Sequence, residues 1–327
     1  MTHILPYIVL LIGFVLLIKG ADYFVDGCSS VAKSLHVPSI IIGLTIVSCG
    51  TSAPEAAVSI TSSLKGANDM SVSNVIGSNI FNLLVVVGVC ALIKPLKVSA
   101  EIIKRDFPIC IIITVMMLLM ATDCFNNGLS ASVFSHIDGL VLLIVFAGYL
   151  VLLVFNTLHN RNNSNTEPEE DIKTLSAPLT ILYIAGGAVA IMFGGDFVVD
   201  SASAIARSFG LSNTLIGLTI VALGTSLPEL VTSIVASAKG ENDLALGNVV
   251  GSNIFNILFV LGVAATVSPI DLSSIANSVF TIYDIIILTA FMGISYVFTL
   301  IKKDISKIEG ALMLLMYASY MAYIIIR

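Results

Sequence analysis

One segment of this chain is written twice. Residues 42–91 overlay residues 216–265 at a constant offset of 174, without a gap and with 31 identities in 50 positions. Gly43-Leu44-Thr45-Ile46-Val47 returns as Gly217-Leu218-Thr219-Ile220-Val221, and Gly50-Thr51-Ser52-Ala53-Pro54-Glu55 as Gly224-Thr225-Ser226-Leu227-Pro228-Glu229. Gly77-Ser78-Asn79-Ile80-Phe81-Asn82 returns unchanged as Gly251-Ser252-Asn253-Ile254-Phe255-Asn256. Each copy sets one carboxylate inside a long apolar stretch. The chain must fold as two like halves, and it must give two acids in hydrocarbon something to do.

Only 11% of the 327 residues are charged and 57% are hydrophobic, whereas a soluble domain carries about 25% charged residues. A spanning helix needs roughly 20 apolar residues. The pattern predicts ten spans, at residues 4–20, 38–63, 71–93, 106–122, 138–157, 178–195, 212–237, 245–267, 280–300 and 309–326. The second and seventh are long enough to tilt or break. The first has no small-residue cleavage site and reads as a retained span.

These spans divide the chain into residues 1–157, a polar linker at 158–177, and residues 178–327. Each half holds five spans. Five is odd, so the second half enters the membrane reversed, as in many secondary transporters. The fold class predicted is an all-α membrane protein of ten transmembrane helices in two inverted-topology repeats. With the N-terminus outside, 12 of the 15 Lys and Arg residues fall on the cytoplasmic side, the bias expected of cytoplasmic loops. Both termini are then outside, in the cell membrane. The acidic run Glu167-Pro168-Glu169-Glu170-Asp171 lacks the spacing of a calcium-binding loop and reads as solvated linker. Cys28, Cys49, Cys90, Cys110 and Cys124 form no CxxC pair and read as small buried hydrophobes.

Glu55 and Glu229 sit near the middle of predicted spans, where a carboxylate costs about 2.5–3.5 kcal/mol even on a lenient scale. No Lys, Arg or His lies within the repeated spans to neutralise them. A bound cation, or protons, must supply the missing charge. At helical spacing, Thr51, Ser52 and Ser48 share a face with Glu55, and Pro54 releases the Gly50 carbonyl from the helix ladder. The next span adds Ser78, Asn79 and Asn82, matched by Ser252, Asn253 and Asn256 in the second copy. Hydroxyls, carbonyls and carboxylates suit Ca²⁺ and Na⁺, and do not suit Zn²⁺ or Cu⁺. Two carboxylates are balanced by one Ca²⁺ or by two Na⁺, so the two loads would compete for the same oxygens.

The paired Gly-Thr-Ser-x-Pro-Glu and Gly-Ser-Asn-Ile-Phe-Asn motifs resemble the two alpha repeats of the sodium/calcium exchanger family, within the Ca²⁺/cation antiporter superfamily. The short linker is similar to that of its compact prokaryotic members. The resemblance implies ion sites between the second, third, seventh and eighth spans. Glu55 and Glu229 would bridge Ca²⁺ and Na⁺, and Thr51, Ser52, Thr225 and Ser226 would be ligands. Backbone carbonyls near Ser48 and Ala222 would contribute, and Ser78, Asn82, Ser252 and Asn256 would complete the cluster. It further implies alternating access by sliding of the first and sixth spans. Some members carry Asp where this chain has Asn256, so this site has two formal charges.

The activity expected is Ca²⁺ extrusion driven by Na⁺ influx, with a Ca²⁺/H⁺ exchanger as the alternative and a passive cation channel behind it. His3, His36, His136 and His159 are scattered and no nucleophile–base spacing appears, so no enzyme is expected. The partners expected are Ca²⁺, Na⁺ and the lipid bilayer, with no nucleic acid and no cofactor beyond the transported ions. One chain contains both halves of its site, which points to a functional monomer.

Overall fold

The computed structural model describes residues 4–122, 133–161, 175–210, 220, 222–272 and 278–326. Most of the linker, Cys124, and most of the repeated stretch Gly217–Val221 lie outside the described residues. The first half comprises α1 (Leu5–Leu35), α2 (Ser39–Thr51), α3 (Ala53–Leu64), α4 (Met70–Ile93), α5 (Phe107–Ala121) and α6 (His136–Arg161). The second comprises α7 (Ala177–Ser208), α8 (Ala222–Gly224), α9 (Leu227–Ala238), α10 (Asn242–Val267), α11 (Ser278–Lys302) and α12 (Lys307–Ile326). The protein is all-α. Among the described residues seven helices are long and apolar enough to cross a membrane, and the α2–α3 pair makes an eighth if counted as one span.

Two predicted spans prove to be parts of longer helices. Residues 4–20 and 178–195 are extended in α1 and α7 to 31 and 32 residues. Apolarity lapses at Asp22 and Asp26, and at Asp196 and Asp200, but the helices continue because the turns around them bury small residues. Gly27, Cys28, Ser29, Ser30 and Ala32 do so in α1, and Ser201, Ser203 and Ala206 in α7. The two helices lie against each other through glycines. A Cβ on Gly20 would stand 3.0 Å from the Gly187 carbonyl oxygen, and one on Gly194 would stand 2.7 Å from the Leu17 nitrogen. Small residues permit such backbone approach where lipid gives helices no hydrophobic drive to associate.

The predicted second span is broken by 51° between Thr51 and Ala53. Ser52 (φ −86°, ψ 10°) leaves the helix, and α3 restarts with Pro54 in its first turn. Pro54 is therefore a helix starter, placed where its missing N–H costs nothing, and not a kink within a continuous helix. Ser226 (φ −93°, ψ 6°) and Pro228 repeat the arrangement at the start of α9. Further symmetry appears in α4 and α10, which each contain a π-helical turn beginning at the corresponding asparagine, Asn82–Val86 and Asn256–Leu261.

Two short bridges tie the loops. Leu96–Lys97 (β1) pairs antiparallel with Asp304–Ile305 (β4), and Val133–Phe134 (β2) with Ile270–Asp271 (β3). The apolar interior falls into two clusters. The larger includes Ile80, Leu84, Ile254 and Leu258 at the centre of α4 and α10. The smaller joins Leu17, Phe24, Ile191 and Val198 of α1 and α7 to Val47, Ala236 and Leu244. The α1–α7 pair thus meets the rest of the bundle through its own separate contact.

Candidate ion-binding site

α3 and α9 begin in the protein interior, each with a glutamate in its first turn. A helix N-terminus presents unsatisfied N–H groups and a partial positive charge, which favours a carboxylate there. Glu55 and Glu229 are both 0% exposed. Burial of a charge needs compensation, yet the ion pairs among the described residues involve Asp22, Asp26 and Asp106 and neither glutamate.

Compensation comes in part from the opposite repeat. Ser226 Oγ donates to Glu55 Oε1 at 2.8 Å, and Ser52 Oγ donates to Glu229 Oε1 at 2.7 Å. The two bonds are related by the 174-residue overlay. Ser52 and Ser226 stand at N-cap positions, yet neither caps its own helix. Their hydroxyls serve the other half's acid instead. The helix-face reading of Ser52 is accordingly corrected: the chain breaks at that residue, so the three-residue spacing to Glu55 does not carry its hydroxyl onto the Glu55 carboxylate.

Of the remaining expected residues, Ser78 and Ser252 bond into this crossed pair. Ser78 Oγ lies 3.1 Å from Ser226 Oγ, and Ser252 Oγ donates to Glu229 Oε1 at 3.5 Å. Thr51 Oγ1 donates to Asn248 Oδ1 at 3.0 Å. Asn256 Nδ2 donates to Asn79 Oδ1 at 3.2 Å. Ser48 turns its hydroxyl back to the Leu44 carbonyl, and its own carbonyl accepts from the Ser52 N–H. Ala222 begins the short α8, ahead of Gly224.

Among the described residues, Glu55 Oε2, Glu229 Oε2, Asn82 Oδ1 and Nδ2, Asn253 Oδ1 and Asn256 Oδ1 are buried without a hydrogen-bond partner. Buried polar atoms are nearly always paired, so an orphan set that is oxygen in all but Asn82 Nδ2 fits a hard cation, which takes carboxylate and carbonyl oxygens. No group of three or more His, Cys, Asp or Glu residues placed to hold a metal ion together occurs among the described residues. The donor set, two carboxylates among neutral oxygens, is therefore unlike a nitrogen–sulfur transition-metal site.

The structure adds Asn74 and Asn248 to the expected residues and gives Asn79 and Asn253, already marked in the sequence, their partners. Asn74 Nδ2 donates to the Glu55 carbonyl at 3.2 Å and to Ser59 Oγ at 2.9 Å. Asn248 Nδ2 repeats this with the Glu229 carbonyl at 3.4 Å and Ser233 Oγ at 2.9 Å. Asn79 and Asn253 donate to each other's backbone carbonyls at 3.3 and 3.4 Å. All three pairs are identical between the copies at the 174-residue offset, so polar identity inside apolar spans was the signal that marked them. Close crossing of α2 over α10 makes the Thr51–Asn248 contact possible. A Cβ on Gly43 would stand 2.7 Å from the Leu244 carbonyl oxygen.

Fold and site together define a helical membrane protein with a cation-type cluster of oxygens at the junction of two sequence repeats. A family model described as sodium/calcium exchanger protein matches residues 5–155 and 179–326, and the chain belongs to that family. It is 39% identical over 321 residues to the putative antiporter CaxA of Alkalimonas amylolytica, covering 96% of both chains. It is 32% identical over 346 residues to the sodium/calcium exchanger MaX1 of Methanosarcina acetivorans, covering 96% of this chain and 97% of that one. Its fold superposes on a solved structure of the sodium-calcium exchanger NCX_Mj with a TM-score of 0.82, at 31% identity over 98% of each chain.

Proposed function

We propose that the chain is a secondary active antiporter that exchanges Ca²⁺ for Na⁺ across the cell membrane by alternating access. One observation carries this reading: two fully buried glutamates, one per repeat, each hydrogen-bonded by the other repeat's serine and neither ion-paired among the described residues. The ligands proposed are Glu55, Glu229, Ser52, Ser226, Thr51, Thr225, Ser78, Ser252, Asn82 and Asn256, with carbonyls near Ser48 and Ala222. Family membership supports Ca²⁺ and Na⁺ as the cargo, and an all-oxygen set fits both.

The proposed architecture is ten spans in two inverted repeats of five, residues 1–157 and 178–327 joined by a cytoplasmic linker. α5, lengthened by the π-helical turn Ile102–Asp106, would be the fourth span, and α8–α9 would belong to the seventh. Both termini would lie outside, as the Lys and Arg distribution favours, and a monomer would suffice.

The test is Ca²⁺ uptake into Na⁺-loaded proteoliposomes diluted into Na⁺-free buffer, with a proton ionophore alongside. Uptake that needs internal Na⁺, survives the ionophore and disappears in Glu55→Gln and Glu229→Gln is expected. Uptake that follows a pH gradient without Na⁺ would replace the proposal with Ca²⁺/H⁺ exchange.

A further inference from the structure

Away from the buried oxygens, one ion-paired cluster joins the two halves of the chain. Lys239, which caps the C-terminal end of α9, reaches α1. Its ammonium lies 2.7 Å from Asp22 Oδ1 and 2.5 Å from Asp26 Oδ1, and it donates to the Asp22 carbonyl oxygen at 2.9 Å. Lys19 adds a looser contact to Asp22 at 3.8 Å. The 174-residue overlay gives Lys239, Asp22 and Asp26 counterparts in Lys65, Asp196 and Asp200. Those counterparts are all exposed, and no ion pair among the described residues includes them. The same three charges are engaged in one set and disengaged in the other.

A chemically unrelated contact shows the same imbalance. Thr51 donates to Asn248, which stands early in α10, the helix that follows Lys239. The counterpart would run from Thr225 to Asn74. No hydrogen bond joins Thr225 to Asn74 among the described residues, and Asn74 bonds to Glu55 and Ser59. Two independent contacts between the repeats are made, and neither of their mates is. In a molecule of two like halves, such asymmetry separates one alternating state from its mirror image.

We propose that Lys239, Asp22 and Asp26 form a latch that holds α1 against α9 and closes that face of the transporter. Lys65, Asp196 and Asp200 form the corresponding latch on the other face, and one is released as the other engages. This rests on the alternating-access reading above. The α1–α7 pair is the part that such a latch can move, since glycine contacts hold it together and a separate apolar cluster joins it to the bundle. The latch side chains remain 28–48% exposed. Exposed ion pairs contribute little each, so this cluster biases the equilibrium without freezing it.

The reporter is a cysteine-free chain carrying Lys65→Cys and Asp200→Cys, treated in membranes with a short bifunctional methanethiosulfonate reagent. With Lys239 intact, cross-linking is expected to be slow. Lys239→Gln should speed it about three- to five-fold, the ratio that an exposed ion-pair cluster of ordinary strength can shift. Lys239→Arg should leave it slow, and exchanging the charges with Lys239→Asp plus Asp26→Lys should restore the slow rate lost in Lys239→Asp alone. The Arg and charge-exchange variants separate loss of the latch from loss of folding. An unchanged rate in Lys239→Gln, or an outer pair that never cross-links, would overturn the latch. Cross-linking needs no transported ion. A chain that alternates in this assay but shows no Na⁺-driven Ca²⁺ uptake would sink the proposed function and leave the latch standing.

Discussion

At the scale of single residues, the crossed serine–glutamate bonds explain why Ser52 and Ser226 matter more than their place in a helix turn suggests. Each gives up its capping bond to support an acid in the other repeat. The asparagines provide a sharper test. Among the described residues Asn248 bonds to Thr51, Ser233 and the Glu229 carbonyl, whereas Asn74 bonds to Ser59 and the Glu55 carbonyl. Leaving a buried hydrogen-bonding group unpaired costs about 1–3 kcal/mol. Asn248→Ala is therefore expected to raise the half-saturating Ca²⁺ concentration by roughly 5- to 100-fold, and Asn74→Ala by less. Equal effects of the two variants in the uptake assay would contradict this order.

At the scale of elements, the α1–α7 contact depends on the absence of side-chain atoms. A Cβ on Gly187 would stand 2.8 Å from the Gly20 carbonyl oxygen and from the Phe24 nitrogen, while one on Gly186 meets nothing described within 4 Å. Gly187→Ala should destabilise the purified protein by about 1–3 kcal/mol through overpacking. Gly186→Ala should stabilise it by about 0.5–1 kcal/mol, since alanine loses less backbone freedom in a helix. Thermal unfolding in detergent distinguishes them by the sign of the shift. The breaks at Ser52 and Ser226 belong to the same scale. Each ends one helix and starts another in the interior, and that is what brings two helix N-termini to the glutamates.

At the scale of the whole molecule, neither half contains a complete cluster, because each acid's serine comes from the other half. Residues 1–157 and 178–327 expressed separately should bind no Ca²⁺, and co-expression should restore Ca²⁺-dependent protection. In the intact chain, Ca²⁺ at 100 times its dissociation constant should add about 2.7 kcal/mol of stability. The Glu55→Gln/Glu229→Gln double variant should melt at the same temperature with or without Ca²⁺. A Ca²⁺-induced shift that survives in that variant would place the ion elsewhere.

Much of this was legible in the sequence. Apolar runs of spanning length, two acids with no cation among them, and an offset repeat follow from composition and order, because a buried charge and an unsatisfied backbone are costly wherever the chain places them. The repeat marks Glu55 and Glu229 and the polar residues around them without any knowledge of the fold. Three features were decided only by tertiary structure. Ser52 serves Glu229 and not Glu55, because a 51° break redirects its hydroxyl across the repeat boundary. α1 and α7 run on past Asp22, Asp26, Asp196 and Asp200, because packing of small residues outweighs local polarity there. Of two charge clusters that the sequence writes alike, the one around Lys239 is ion-paired and the other is not, among the described residues. Sequence writes Lys239, Asp22 and Asp26 and their counterparts alike, and the arrangement of one half against the other makes them differ.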